Sequence, residues 1–288
     1  MMIQCQSHQI ITLSSFIIVS FTTVCIITGV NNERKESALI FLKRASIFTF
    51  QSFNQLLWPA VCINCSESIS ETDNNLCKEC WERLVACTGA DYCRRCGRDA
   101  GKFALLAGKC PNCQGKEIRF DRIARAGIYE HTLRKMILSF KNGRTELDSV
   151  LGFLANSALQ SSGFSNDVEL FIPVPLHWSR RLIRGCNQSH LLVRKLIHPT
   201  AKISTDLIRI RRTEAQPAMV SPAARERNVA GAFAVRYRHN YSGRNICLVD
   251  DIKTTGATLN ECAKTLKQAG ASKVYALVLA VAGQGYIS

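Results

Sequence analysis

The sequence predicts an α/β domain built on a mainly parallel sheet, preceded by a small cysteine-bound module. Three observations predict it. From residue 118 onward, short apolar runs alternate with helical patterns, as in strands joined by crossover helices. Ahead of that stretch, eight of the 14 cysteines form four Cys-x-x-Cys pairs between Cys62 and Cys113. The chain has 288 residues, 47% of them hydrophobic, which is enough to bury a core.

Residues 1–50 are expected to be an apolar extension outside that core. Residues 10–30 form a run of the length that spans a bilayer, which takes roughly 20 apolar residues, although Ser and Thr dilute it. A secretory signal needs a positive start, and residues 1–9 have none. Arg34, Lys35, Lys43 and Arg44 follow the run and would keep everything downstream in the cytoplasm. Two readings stay open: a membrane anchor, or an extension ahead of the working start.

The cysteine module is assigned to residues 55–117. Cys62 and Cys65, then Cys77 and Cys80, then Cys93 and Cys96, then Cys110 and Cys113 are separated by eleven, twelve and thirteen residues. A Cys-x-x-Cys turn aims two thiolates at one point, and two turns complete a tetrahedral zinc site. A disulfide scaffold would be smaller and more evenly cysteine-dense. Two structural zinc sites are therefore expected, their metal supplying folding energy that such short polar segments lack. Sequential pairing (Cys62, Cys65, Cys77, Cys80 and Cys93, Cys96, Cys110, Cys113) and interleaved pairing both fit the spacing.

The α/β domain is assigned to residues 118–288. Strands are expected at residues 123–129, 168–174, 246–249 and 274–281, and helices at 133–140, 147–159, 188–197 and 259–269, the last stopped by Gly270. The strand at 246–249 ends in Asp250 and Asp251 and runs through Lys253, Thr254, Thr255, Gly256, Ala257 and Thr258 into a helix. A tight turn between the carboxyl end of a strand and a helix presents backbone N–H groups and the positive helix end, which suits a phosphate. Gly256 lets the backbone approach closely, and the threonines add hydroxyl donors. Two adjacent carboxylates repel a phosphate, but they can accept hydrogen bonds from the 2′ and 3′ hydroxyls of a ribose. The segment is thus expected to hold a phosphorylated ribose.

Charge agrees with an anionic partner. The net charge is +15 and the pI about 9.4. Residues 171–245 hold fourteen Lys or Arg against three Asp or Glu, beside the phosphate motif.

The run at residues 246–258 resembles the signature of type I phosphoribosyltransferases, which bind 5-phosphoribosyl 1-diphosphate. Residues 172–189, Gln216 and residues 225–233 further resemble the ComF/GntX proteins, a double zinc ribbon joined to a phosphoribosyltransferase-like domain. The likeness covers roughly residues 55–283. It implies the type I phosphoribosyltransferase fold, with Asp250 and Asp251 on the ribose hydroxyls and Lys253 to Thr258 around the 5′-phosphate. It also implies Mg2+ with the diphosphate, Arg184 on the diphosphate and Arg225 in a closing loop. Arginine suits that work because its fork pairs with phosphate oxygens. Position 186 is Cys where the family usually has Phe. His177 reads as a turn residue, and Ser189 with His190 does not read as a catalytic pair. A hood from residues 118–159, with Tyr129 and Lys141 as contributors, would choose the acceptor, which the sequence does not spell.

Three roles follow from the resemblance. They are a phosphoribosyltransferase of unknown acceptor, a non-enzymatic factor handling single-stranded DNA with competence-machinery partners, and a nucleotide-sensing regulator. Zinc ribbons and a basic segment fit salt-sensitive nucleic-acid contact.

Overall fold

The computed structural model describes residues 60–70, 75–89, 91–100, 110–113, 116–213, 221–236 and 241–283. The extension at residues 1–50 lies outside them. Among the described residues no helix is long and apolar enough to cross a membrane.

Residues Val61–Ser288 form one compact unit. Its centre is a parallel five-stranded sheet of order β1-β7-β6-β2-β3. The strands are β1 (Arg122–Ile128), β2 (Leu170–Pro173), β3 (Lys202–Ile203), β6 (Asn245–Lys253) and β7 (Lys273–Val281). A separate antiparallel pair joins β4 (Leu207–Arg209) to β5 (Phe233–Val235). The four strands expected from apolar runs are all present. The three missed ones, β3, β4 and β5, are two or three residues long and too short to show a period.

Alternation along β6 builds two cores, because successive strand residues point to opposite faces. Cys247 and Val249 face α2 (His131–Lys141), α3 (Asp148–Gln160) and α5 (Gln188–Lys195), with Met136, Phe140, Leu151 and Leu192 in that layer. Ile246 and Leu248 face α7 (Ala257–Gln268), which contributes Leu259, Cys262 and Leu266. Gly270, at φ 92°, follows the end of α7 as the stop signal anticipated. Two helices went unpredicted, α4 (Trp178–Arg184) and α6 (Pro222–Val229), the first only two turns long and the second too polar to carry an apolar stripe.

The cysteine module also holds a helix, α1 (Lys78–Ala86), where the sequence offered little periodicity. Its N-cap is Cys77, whose sulfur accepts from the Cys80 N–H, so the cysteine turn itself starts the helix. Leu84 anchors it in the core, fully buried. The two halves repeat in backbone detail. Val61 bridges Ser68 as Tyr92 bridges Asp99, and Ser66 and Gly97 both take left-handed φ, at 67° and 80°.

Candidate functional site

The sulfurs of Cys62, Cys65, Cys77 and Cys80 lie within 4.8 Å of one another, as do those of Cys93, Cys96, Cys110 and Cys113. The grouping is sequential, which decides between the two pairings the spacing allowed. Sulfurs stand 3.7 Å apart between Cys65 and Cys77, 3.5 Å between Cys96 and Cys110, and 3.8 Å between Cys93 and Cys113. A tetrahedron with Zn–S bonds of about 2.3 Å has edges of about 3.8 Å, so both sets fit a structural zinc with all four positions filled by protein.

The second ribbon is fastened to the sheet. Arg125 on β1, its side chain buried, pairs with Asp99 and lies 4.8 Å from the centre of the Tyr92 ring. Arg95 donates to the Phe120, Ile118 and Asp121 carbonyls, and the Ile123 N–H donates to the Arg94 carbonyl at 2.9 Å. Gly97 has no side chain because a Cβ there would stand 3.0 Å from Val281 Cγ2.

At the carboxyl end of β6 the two acids take different partners. Ser189 Oγ, at the start of α5, donates to Asp250 Oδ1 at 3.1 Å, and Lys141 Nζ, at the end of α2, lies 3.1 Å from Asp251 Oδ2. Burial, and after it the adjacent Asp251 carboxylate, push Asp250 up to about 7. Of the two hood residues named from sequence, Lys141 thus reaches the acids. Tyr129 instead lies under Arg134, at 5.8 Å from its ring centre.

The loop then turns at Gly256, in the left-handed region at φ 91°. Gly256 is the N-cap of α7 and offers no side-chain cap; Thr255 Oγ1 accepts from the Ala257 N–H at 3.3 Å. N–H groups at the helix start and the positive helix end are thereby turned to a common region. Lys253 is 6% exposed and runs beneath Gly256, its Cε 3.0 Å from where a Gly256 Cβ would sit. Burial pushes its ammonium down to about 8.

A basic group borders the acids. His177, N-cap of α4, is held below its ordinary pKa by burial and then by Arg209, Arg212 and Arg180. Its Nδ1 lies 2.8 Å from Ser179 Oγ, a local capping contact. Arg184 lies close enough to Arg180 to depress it, after burial. Arg209 on β4 stacks 5.2 Å from the centre of the Phe233 ring, and its buried Nε has no hydrogen-bond partner among the described residues. Arg225, on α6, is 6% exposed. Sequence reasoning missed Ser189 as a partner of Asp250 and Arg209 as a member of the basic group; only the local arginine excess hinted at Arg209.

Comparison with known proteins follows the same division of the chain. The family model for the double zinc ribbon domain matches residues 53–114, and that for the phosphoribosyl transferase domain matches residues 188–287. Competence protein F of Haemophilus influenzae is 30% identical over 220 residues, covering 74% of this chain and 93% of its own. DNA utilization protein YhgH of Salmonella typhi is 31% identical, covering 75% and 94%. Competence protein ComFC of Bacillus subtilis is 26% identical, covering 73% and 90%. With 30% identity over about three quarters of the chain and both domain models matched, the chain belongs to the ComF family, in which a double zinc ribbon precedes a domain of the type I phosphoribosyltransferase fold.

Proposed function

We propose that this protein binds 5-phosphoribosyl 1-diphosphate with Mg2+ and serves competence or DNA uptake, a reading supported by relatives named competence protein and DNA utilization protein. Asp250 and Asp251 accept from the ribose 2′ and 3′ hydroxyls, and the loop from Lys253 to Thr258 holds the 5′-phosphate. Arg184 and Arg225 meet the diphosphate, with Arg180 and Arg209 beside them. In this reading residues 55–117 are the ribbon and 118–288 the phosphoribosyl-binding domain.

The observation that carries the reading is the end of β6. There a raised carboxylate and its neighbour stand next to a left-handed turn opening a helix, with Arg209 of the basic group near enough to interact with Asp250. Acids alone would suit a metal, and a helix start alone would suit any anion. Side by side they suit a sugar that carries a phosphate. Calorimetric titration with 5-phosphoribosyl 1-diphosphate and Mg2+ tests it, wild type against Asp250→Asn with Asp251→Asn. Binding that is absent, or the same in both proteins, removes the reading.

Transfer is a separate step. It takes an acceptor placed beside the ribose and donors that stabilise charge as diphosphate leaves. Diphosphate release on addition of an acceptor is its readout. Handling of single-stranded DNA is the second reading, favoured by one feature: Trp178 and Leu182 on α4 are 67% and 75% exposed, with Arg181 between them also exposed. An aromatic and a cation together suit a base and its phosphate. Salt-dependent DNA binding that survives the double Asp variant supports it.

A further inference from the structure

A cavity of about 540 Å³ lies where the second ribbon meets the phosphate loop. Cys96 and Arg98 from the ribbon, Lys116 just after it, Arg227 from α6, and Lys253 and Gly256 from the loop all line it. Its size falls within the roughly 300–1,000 Å³ of small-ligand sites. Phe120 and Val229 supply an apolar wall.

Two independent features point to an anion. The first is the start of α7, a twelve-residue helix whose N-cap gives no side chain to its free N–H groups. The second is Lys253, more than nine-tenths buried and lining the cavity, with no acceptor or carboxylate in bonding range among the described residues. The carboxylates of the lining do not reach it. Glu117 pairs with Arg119 at 2.7 Å, Glu261 accepts from the Gly231 N–H at 2.8 Å, and Glu226 stands exposed. An ammonium enclosed in this way without an acceptor is expensive unless a ligand offsets it. Cys96 of the second zinc site lines the same cavity, so the ribbon, which needs its metal to fold, is part of the wall.

We propose that the second ribbon and the phosphate loop form one anion pocket, in which Lys253, Arg98 and Arg227 bind the phosphate of a phosphorylated sugar and which requires zinc in the second ribbon. The ribbon is then a wall of the binding site, held in place through Arg125 and Arg95. This rests on the reading that the loop holds a 5′-phosphate, and adds the ribbon and its metal to that subsite.

The test uses the full chain, with inorganic phosphate and ribose 5-phosphate as calorimetric probes. Lys253→Met and Arg98→Gln keep two zinc atoms per chain by metal analysis and weaken inorganic phosphate by at least about tenfold, the scale of one charged hydrogen bond. Cys96→Ser drops zinc to one per chain and loses phosphate binding, whereas Cys65→Ser in the first ribbon drops zinc equally and keeps it. Asp250→Asn loses the extra affinity for ribose 5-phosphate over inorganic phosphate. Unchanged phosphate binding in both Lys253→Met and Arg98→Gln overturns the pocket, even where Asp250→Asn upholds the ribose reading. Equal loss in Cys65→Ser overturns the dependence on the second ribbon. A wild type that binds neither probe overturns both.

Discussion

Replacing Asp250 by Asn is expected to stabilise the ligand-free protein while abolishing ribose recognition. Burial and the Asp251 carboxylate raise the Asp250 carboxyl from an ordinary 3.8 up to about 7. A raised acid holds, in the folded state, a proton that the unfolded chain releases. Its ionisation therefore costs nothing below about pH 4, a growing amount as pH rises from 4 to 7, and the full amount above that. At about 1.4 kcal/mol for each pH unit between the two values, the full cost is on the order of 4 kcal/mol. Asn keeps the shape and an oxygen for the Ser189 hydroxyl and the Asp251 N–H, bonds of 3.1 and 2.9 Å in the wild type. It accepts them more weakly, giving back about 1–2 kcal/mol. The net gain is about 2–3 kcal/mol at pH 8 and near zero at pH 5. For a chain of this size that is a rise of roughly 5–10 °C in apparent Tm at pH 8. Thermal unfolding of wild type and variant, followed by circular dichroism at pH 5, 6, 7 and 8, measures it. A variant that is destabilised at every pH, or whose gain does not grow between pH 5 and 8, would refute the claim that burial and the Asp251 carboxylate make ionisation of this carboxyl costly. The expectation matches a general pattern in which sites poised for a ligand cost stability.

Two further outcomes follow from the same geometry. Lys141→Met removes the ammonium 3.1 Å from Asp251, which also helps to keep Asp250 ionised; affinity for ribose 5-phosphate should fall about tenfold at pH 7 and recover in part toward pH 9, read by calorimetry across pH. Gly127→Ala puts a Cβ onto the Cys87 carbonyl oxygen and 2.9 Å from Leu133 Cδ2, where β1 meets the module; a loss of about 1–3 kcal/mol and faster zinc release to a chelator are expected, by thermal unfolding and metal-dye kinetics.

The four strands and four helices expected in the α/β domain were legible because each is an apolar run or stripe several residues long. The elements that were not, β3 to β5, α4 and α6, owe their shape to neighbours. Arg209 on β4 lies over Phe233 on β5, and α6 packs against α7 although its own sequence is polar. In the module, α1 was hidden because the cysteines that mark a metal site also cap and begin the helix.

The sequence alone determined the local chemistry. A Cys-x-x-Cys turn, an acid pair ending a strand and a Thr-Gly turn opening a helix are all written in consecutive residues, and backbone geometry makes them what they are. Tertiary structure decided which turns share a metal, since spacing permits either pairing and only packing brings four sulfurs within 4.8 Å. It also decided which groups tune the acids: Ser189 reaches Asp250 across 61 residues, and no local pattern records that approach. Burial decided the rest. Lys253 reads as an ordinary loop cation until the second ribbon and α7 enclose it, and only then does its charge need a partner.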